Sequence, residues 1–121
     1  MPKISNAETN VYLESNRDGR VFTSDGNGGD FQNWIYEISD GSVWFYLKNK
    51  ATGLYLDSYS DGGAVYCSIF DNSNKETQKW RFEGPFIINK ATNFALDWNR
   101  SRGVCTSAVS NISKTQNWIR N

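Results

Sequence analysis

The chain has 121 residues, a formal net charge of zero and no histidine, with aromatic residues making up 15%. The length suits one domain with one core and leaves no room for a second. The balanced charge argues against nucleic acid or an acidic membrane surface, both of which ask for a basic patch. The missing histidine removes the commonest general base and metal ligand.

In chain order, the first signal is Asn6-Ala7-Glu8-Thr9-Asn10, then Tyr12-Leu13-Glu14, Val21-Phe22, the loop Asn27-Gly28-Gly29 and Gln32-Asn33-Trp34. The same order returns as Asn49-Lys50-Ala51-Thr52-Gly53, Tyr55-Leu56-Asp57, Val65-Tyr66, Asp71-Asn72-Ser73-Asn74 and Gln78-Lys79-Trp80. It returns again as Asn89-Lys90-Ala91-Thr92-Asn93, Ala95-Leu96-Asp97, Val104-Cys105, Ser110-Asn111 and Gln116-Asn117-Trp118. From the leading Asn to the Leu the step is seven residues each time. Ordered anchors recurring with a period of about forty residues mark an internal repeat. We place the repeats at approximately 1–41, 42–84 and 85–121, within a single domain.

The local pattern is β. Segments such as Val43-Trp44-Phe45-Tyr46-Leu47 and Pro85-Phe86-Ile87-Ile88 are rich in aromatic and branched residues, which suit a pleated surface. Clusters such as Asp61-Gly62-Gly63 separate them as turns. No window carries a helical apolar period. About four short strands per repeat, closed on themselves, predict an all-β fold, the β-trefoil. Trp34, Trp80 and Trp118 are expected as core anchors near the pseudo-threefold axis. Gln32, Gln78 and Gln116 are expected to tie the backbone of their own turns, because buried polar groups need partners.

Cys67 and Cys105 fall in neighbouring columns of different repeats, without metal-binding spacing. They are expected as buried thiols, with a disulfide as the alternative. The first residues lack the apolar stretch of a signal peptide, and no apolar run is long enough to span a bilayer. The expectation is a cytoplasmic protein, or one secreted without a recognisable leader, that inserts in no membrane.

Each repeat also sets an acid after its Leu, an aromatic column eight or nine residues on, and an Asn-rich loop. A carboxylate accepts bonds from adjacent hydroxyls, and charge-assisted bonds are the stronger kind. An amide both donates and accepts, and an aromatic face covers the C–H face of a sugar ring. For any one copy, an acid after a strand Leu is also a common turn former. Threefold recurrence in one column favours binding, since Asn or Ser would serve a turn as well.

These residues resemble the ricin-type lectin family, whose β-trefoils carry a Gln-x-Trp in each repeat. The pattern is closest to its mannose-binding, actinohivin-like members, over Leu13 to Thr23 and Asn27 to Trp34. The resemblance implies a non-enzymatic lectin with up to three sugar sites around the pseudo-threefold axis. Its acid position falls on Glu14, Asp57 and Asp97, and its aromatic position on Phe22 and Tyr66. Its loop amide falls on Asn27 and Asn111, and on Asn72 or Asn74 in the second repeat. The third repeat has Cys105 in the aromatic column, where Trp98 is expected to supply a face instead. We rank the second site first, then the third, then the first. The implied ligands are glycans of the mannose or the galactose/N-acetylgalactosamine type. No cofactor is implied. Scattered acids offer no calcium loop, so binding is expected to be calcium-independent and the protein a monomer or homodimer. The alternative is a protein-interaction module, such as a protease inhibitor, with inactive sugar pockets. An enzyme would need paired acids, which the repeat keeps apart.

Overall fold

A computed structural model describes residues 3–39, 41, 43–71, 73, 75–101 and 103–120. Twelve strands run through the described residues: β1 (Ile4–Asn6), β2 (Tyr12–Ser15), β3 (Val21–Ser24), β4 (Trp34–Ile38), β5 (Phe45–Asn49), β6 (Tyr55–Ser58), β7 (Gly63–Ser68), β8 (Trp80–Glu83), β9 (Phe86–Asn89), β10 (Ala95–Asn99), β11 (Gly103–Ser107) and β12 (Trp118–Arg120). Four fall in each third of the chain. Every pairing is antiparallel.

The first and fourth strands of each third build a barrel wall. β4 pairs β5, β5 pairs β8, β8 pairs β9, and β12 closes on β1 with Ile4 opposite Arg120. Trp118 N donates to Pro85 O at 3.0 Å, tying β12 to the entry of β9. The second and third strands form hairpins β2–β3, β6–β7 and β10–β11, which cap one end. This is the β-trefoil.

Each recurring motif has one physical job, done three times. The leading Asn closes its turn: its Oδ1 accepts backbone N–H groups two or three residues on, such as Glu8 and Thr9, or Ala51 and Thr52. Its Nδ2 donates to a carbonyl of another repeat or turn, namely Thr115, Phe31 or Thr77. Four residues after it the chain turns left-handed, at Asn10 (φ 62°), Gly53 (φ 73°) and Asn93 (φ 59°). Asn and Gly are the residues that tolerate that region. Their N–H groups donate back to the leading Asn carbonyl at 2.8 Å in all three copies.

The three tryptophans and the three leucines are buried together in one core with Ile4, Leu47 and Ile87. Each indole N–H donates to the carbonyl of its own repeat's Leu: Trp34 to Leu13 at 3.0 Å, Trp80 to Leu56 at 3.0 Å and Trp118 to Leu96 at 2.8 Å. Buried indoles need such a partner, so the Gln-x-Trp and the strand leucine form one unit.

The hairpins lean on one another around the cap. Gly19, at φ +86°, lies so close to the Cys67 carbonyl that no β-carbon fits, and its own carbonyl accepts from Cys67 N at 2.7 Å. Gly62, at φ +83°, lies against the Phe94 ring, which a β-carbon would meet at 2.5 Å. Trp98 returns the contact from the third hairpin to the first, its Nε1 donating to Thr23 Oγ1 at 3.1 Å. Cys67 and Cys105 are both buried, and no disulfide joins them. Burial pushes the Cys67 thiol up to about 12, which keeps it protonated and unreactive.

Candidate functional site

The strand register sets the candidate sites. Glu14 pairs across its hairpin with Phe22, Asp57 with Tyr66, and Asp97 with Cys105. Directly opposed residues share a face, so the acid and the residue in the aromatic column stand side by side in each repeat.

A serine absent from the sequence reading completes each assembly. Ser24 Oγ donates to Glu14 Oε1, Ser68 Oγ to Asp57 Oδ2 at 2.7 Å, and Ser107 Oγ to Asp97 Oδ2 at 2.5 Å. The Gln of the Gln-x-Trp grips the same group. Gln32 Nε2 lies 3.0 Å from Glu14 Oε1, while Gln78 and Gln116 lie 3.5 Å from the Asp57 and Asp97 Oδ2 atoms. Each Nε2 also donates to its serine at 2.9 Å and to a loop carbonyl, that of Asp25, Ile69 or Ala108. Each Gln Oε1 accepts a loop N–H, from Asn27, Asp71 or Ser110. The glutamines thus tie their own turns, and they also fix the carboxylates. The serine signal was present in the sequence: one stands ten or eleven residues after every acid.

Around this shared frame the three repeats differ. In the first, Glu14 is partly exposed beside a partly exposed Phe22. The Arg20 guanidinium lies 5.9 Å from that ring's centre. Among the described residues, Glu14 Oε2 accepts no bond. In the third, Asp97 is partly exposed, with Oδ1 accepting from Trp98 N at 2.7 Å. In the second, Asp57 is wholly buried. Its Oδ1 accepts from Ser58 N at 2.8 Å, and Lys75 Nζ sits 2.6 Å from Oδ2. The same ammonium lies 5.8 Å from the Tyr66 ring centre, and Tyr59 packs on Tyr66 at 4.8 Å. The bond to Asp57 raises the Lys75 pKa above the usual lysine value. Burial first, and then the Asp57 charge, raises that of Tyr66. Beside Lys75 a pocket of about 260 Å³ opens, lined by Ser68, Ile69, Phe70, Asp71 and the lysine itself.

Two positional expectations need revision. Trp98 does not stand beside the Asp97 carboxylate. Neighbours in a strand point to opposite faces, and the indole packs on the core and reaches Thr23. The loop column that begins with Asn27 continues through Asp71 and Ser110, whose N–H groups make the equivalent bond to Gln Oε1. Asn111 stands one residue beyond it, exposed. Asn27 itself spends its Oδ1 on Gly29 N at 2.8 Å. Asn72 and Asn74 lie outside the described residues.

Among the described residues there is no group of three or more His, Cys, Asp or Glu side chains placed to hold a metal, and no helix long and apolar enough to cross a membrane.

No protein-family model and no curated protein matches the chain. Solved structures do. A designed threefold-symmetric protein, ThreeFoil, superposes with a TM-score of 0.82 at 20% identity, over 98% of this chain and 96% of that one. SeviL, solved bound to asialo-GM1 saccharide, gives 0.78 at 18%, over 99% and 94%. A GlcNAcα1-4Gal-releasing endo-β-galactosidase from Clostridium perfringens gives 0.83 at 20%, over 98% of this chain but 31% of that enzyme. Identities this low speak to architecture, and the architecture they share with this chain is the β-trefoil.

Proposed function

We propose that the protein is a non-enzymatic, calcium-independent glycan-binding protein of the ricin type. Its working carboxylates are Glu14 in the first repeat and Asp97 in the third. The observation that carries this reading is the recurring carboxylate–serine–glutamine assembly. In those two repeats it holds an acid partly open to solvent and, among the described residues, without a basic side chain on it. An ionised carboxylate held from behind keeps lone pairs for the hydroxyls of a sugar, and each such bond is worth roughly 1.5–3 kcal/mol when shielded from water. Phe22 offers the first repeat an apolar ring face.

One carboxylate per repeat, each in its own network, provides no general-acid and general-base pair. Sites spread around a pseudo-threefold axis suit multivalent capture of a glycan-coated surface, where linkage adds about 10²–10⁴ in avidity. Neutral net charge agrees with an uncharged ligand such as a mannose- or galactose-type glycan.

A glycan array probed in chelator-containing buffer, with Glu14→Gln and Asp97→Asn alongside, tests the reading. Selective binding that the double variant loses is expected. A blank array from folded protein would overturn it. That outcome would favour a protein-interaction module, for which the exposed loop residues Ile69 and Ile112 (77% and 91% exposed) would be the contact points.

A further inference from the structure

The second repeat departs from the other two at one position. The residue that caps the short 3-10 turn before each Gln is Gly29 in the first repeat, Ser113 in the third and Lys75 in the second. Only the lysine is long enough to reach back 18 residues to its acid.

Resting on the glycan reading above, we infer that Lys75 is the residue that sets the valency of this protein: its ammonium occupies Asp57 where a sugar hydroxyl would bind, so the second repeat carries a complete site that is plugged from within. Three observations support this. The Lys75 to Asp57 contact is 2.6 Å, while Asp57 has no exposed surface at all and the lysine side chain keeps 34% of its own. The plug therefore lies over the carboxylate on its outer side. Asp97 is the control built into the molecule. It has the same three donors, a following backbone N–H, a serine and a glutamine, but among the described residues no lysine on it, and it remains partly open. The network therefore holds an acid in place without the ammonium. Finally, the space is already there. The pocket of about 260 Å³ has Lys75 as one wall and Phe70 as another. That is close to the lower end, about 300 Å³, of pockets that hold small ligands. Removing the lysine side chain would join it to the Asp57 oxygens and to the Tyr66 ring.

The local backbone accepts the change. Lys75 sits at φ −69°, ψ 110°, extended geometry like that of Gly29. Lys75→Gly and Lys75→Ser install what the sister repeats carry.

The test is an isotope-edited NMR titration of the unaltered chain and of Lys75→Gly. The probes are methyl α-mannoside, galactose and N-acetylgalactosamine, taken to high millimolar concentration. The side-chain amides of Gln32, Gln78 and Gln116 report separately, because each donates to its own repeat's carboxylate. Expected are shifts at Gln32 and Gln116 in both chains, with the Gln78 shift appearing only in Lys75→Gly. A Gln78 shift in the unaltered chain would overturn the plug and leave the glycan reading standing. So would a silent Gln78 in Lys75→Gly while the other two respond. Silence of all three in both chains would overturn the glycan reading, and the plug with it.

Discussion

The second and third repeats are built on one plan and differ in what they leave open. Both hold an Asp by a serine, a glutamine and the next backbone N–H. Both bury a Trp whose indole donates to a strand Leu. Yet Asp57 is sealed and Asp97 is not. The comparison separates two kinds of residue in a repeat protein. Those that satisfy backbone groups are copied faithfully, because every repeat has the same orphan groups to satisfy. Those on the outer side of the carboxylate, Gly29, Lys75 and Ser113, are free to diverge, because nothing in the frame depends on their side chains.

The largest test asks whether the frame is shared. Trp80→Ala and Trp118→Ala should each cost about 3–5 kcal/mol, as large buried aromatics do, a major part of the stability of a small domain. Denaturant unfolding should show similar losses from both, and a loss at one position alone would break the symmetry of the plan. Next come the acids, where the repeats should part. Asp57→Ala leaves a fixed ammonium and several donors without their acceptor, and should cost about 3 kcal/mol. That is the low end for breaking a buried pair, because Lys75 regains water. Asp97→Ala should cost about 1–3 kcal/mol. It should be the one of the two that loses glycan binding, which a side-by-side array measures.

A pH series sharpens the contrast further. The folded pKa of Lys75 is raised by Asp57, and that of Tyr55 is pushed from 10.0 to about 12 by burial and the Glu37 carboxylate it bonds. A raised folded pKa gives stability that is complete below the unfolded value and lost as pH climbs through the folded one. Stability should therefore fall between about pH 10 and pH 12. Lys75→Gly and Tyr55→Phe should each flatten that fall, and Asp97→Asn should leave its slope unchanged. The smallest effect is expected from Ser68→Ala and Ser107→Ala, about 1 kcal/mol each for the lost hydroxyl, because each Gln Nε2 keeps its loop carbonyl as acceptor; it is readable as a small drop in Tm.

The frame was legible in the sequence because it is chemical and local. An Asn that closes a turn, a left-handed Asn or Gly four residues on and a Leu seven residues on recur at fixed steps, a Gln-x-Trp follows each set in the same order, and each does the same work wherever it stands. The serines are equally regular by position, although a serine at a strand end reads as ordinary. The face of Trp98 was readable too, from the alternation of a strand: the residue after Asp97 must point away from it. The Lys75 plug was not. A lysine in a polar loop reads as a solvated charge, and nothing in linear spacing shows a flexible side chain reaching an acid 18 positions upstream. Loop register also escaped, because the second loop is longer and the Asn27 column passes through Asp71 and Ser110, which are not amides.

The pairing of β1 with β12 has a practical consequence. With Ile4 opposite Arg120, the two ends of the described chain lie side by side on the barrel wall. A short linker would join them, and new ends could be cut in an exposed connection, as tolerated in domains with adjacent termini. Gly19 and Gly62 are the places to avoid, since each is wedged against its neighbouring hairpin. A circularly permuted chain opened near Gly84, where a β-carbon would meet nothing, would begin with the third repeat and keep every strand pair. Both tails of a genetic fusion would then leave from the β8–β9 turn, beside β12, whose Trp118 N is bonded to Pro85 O.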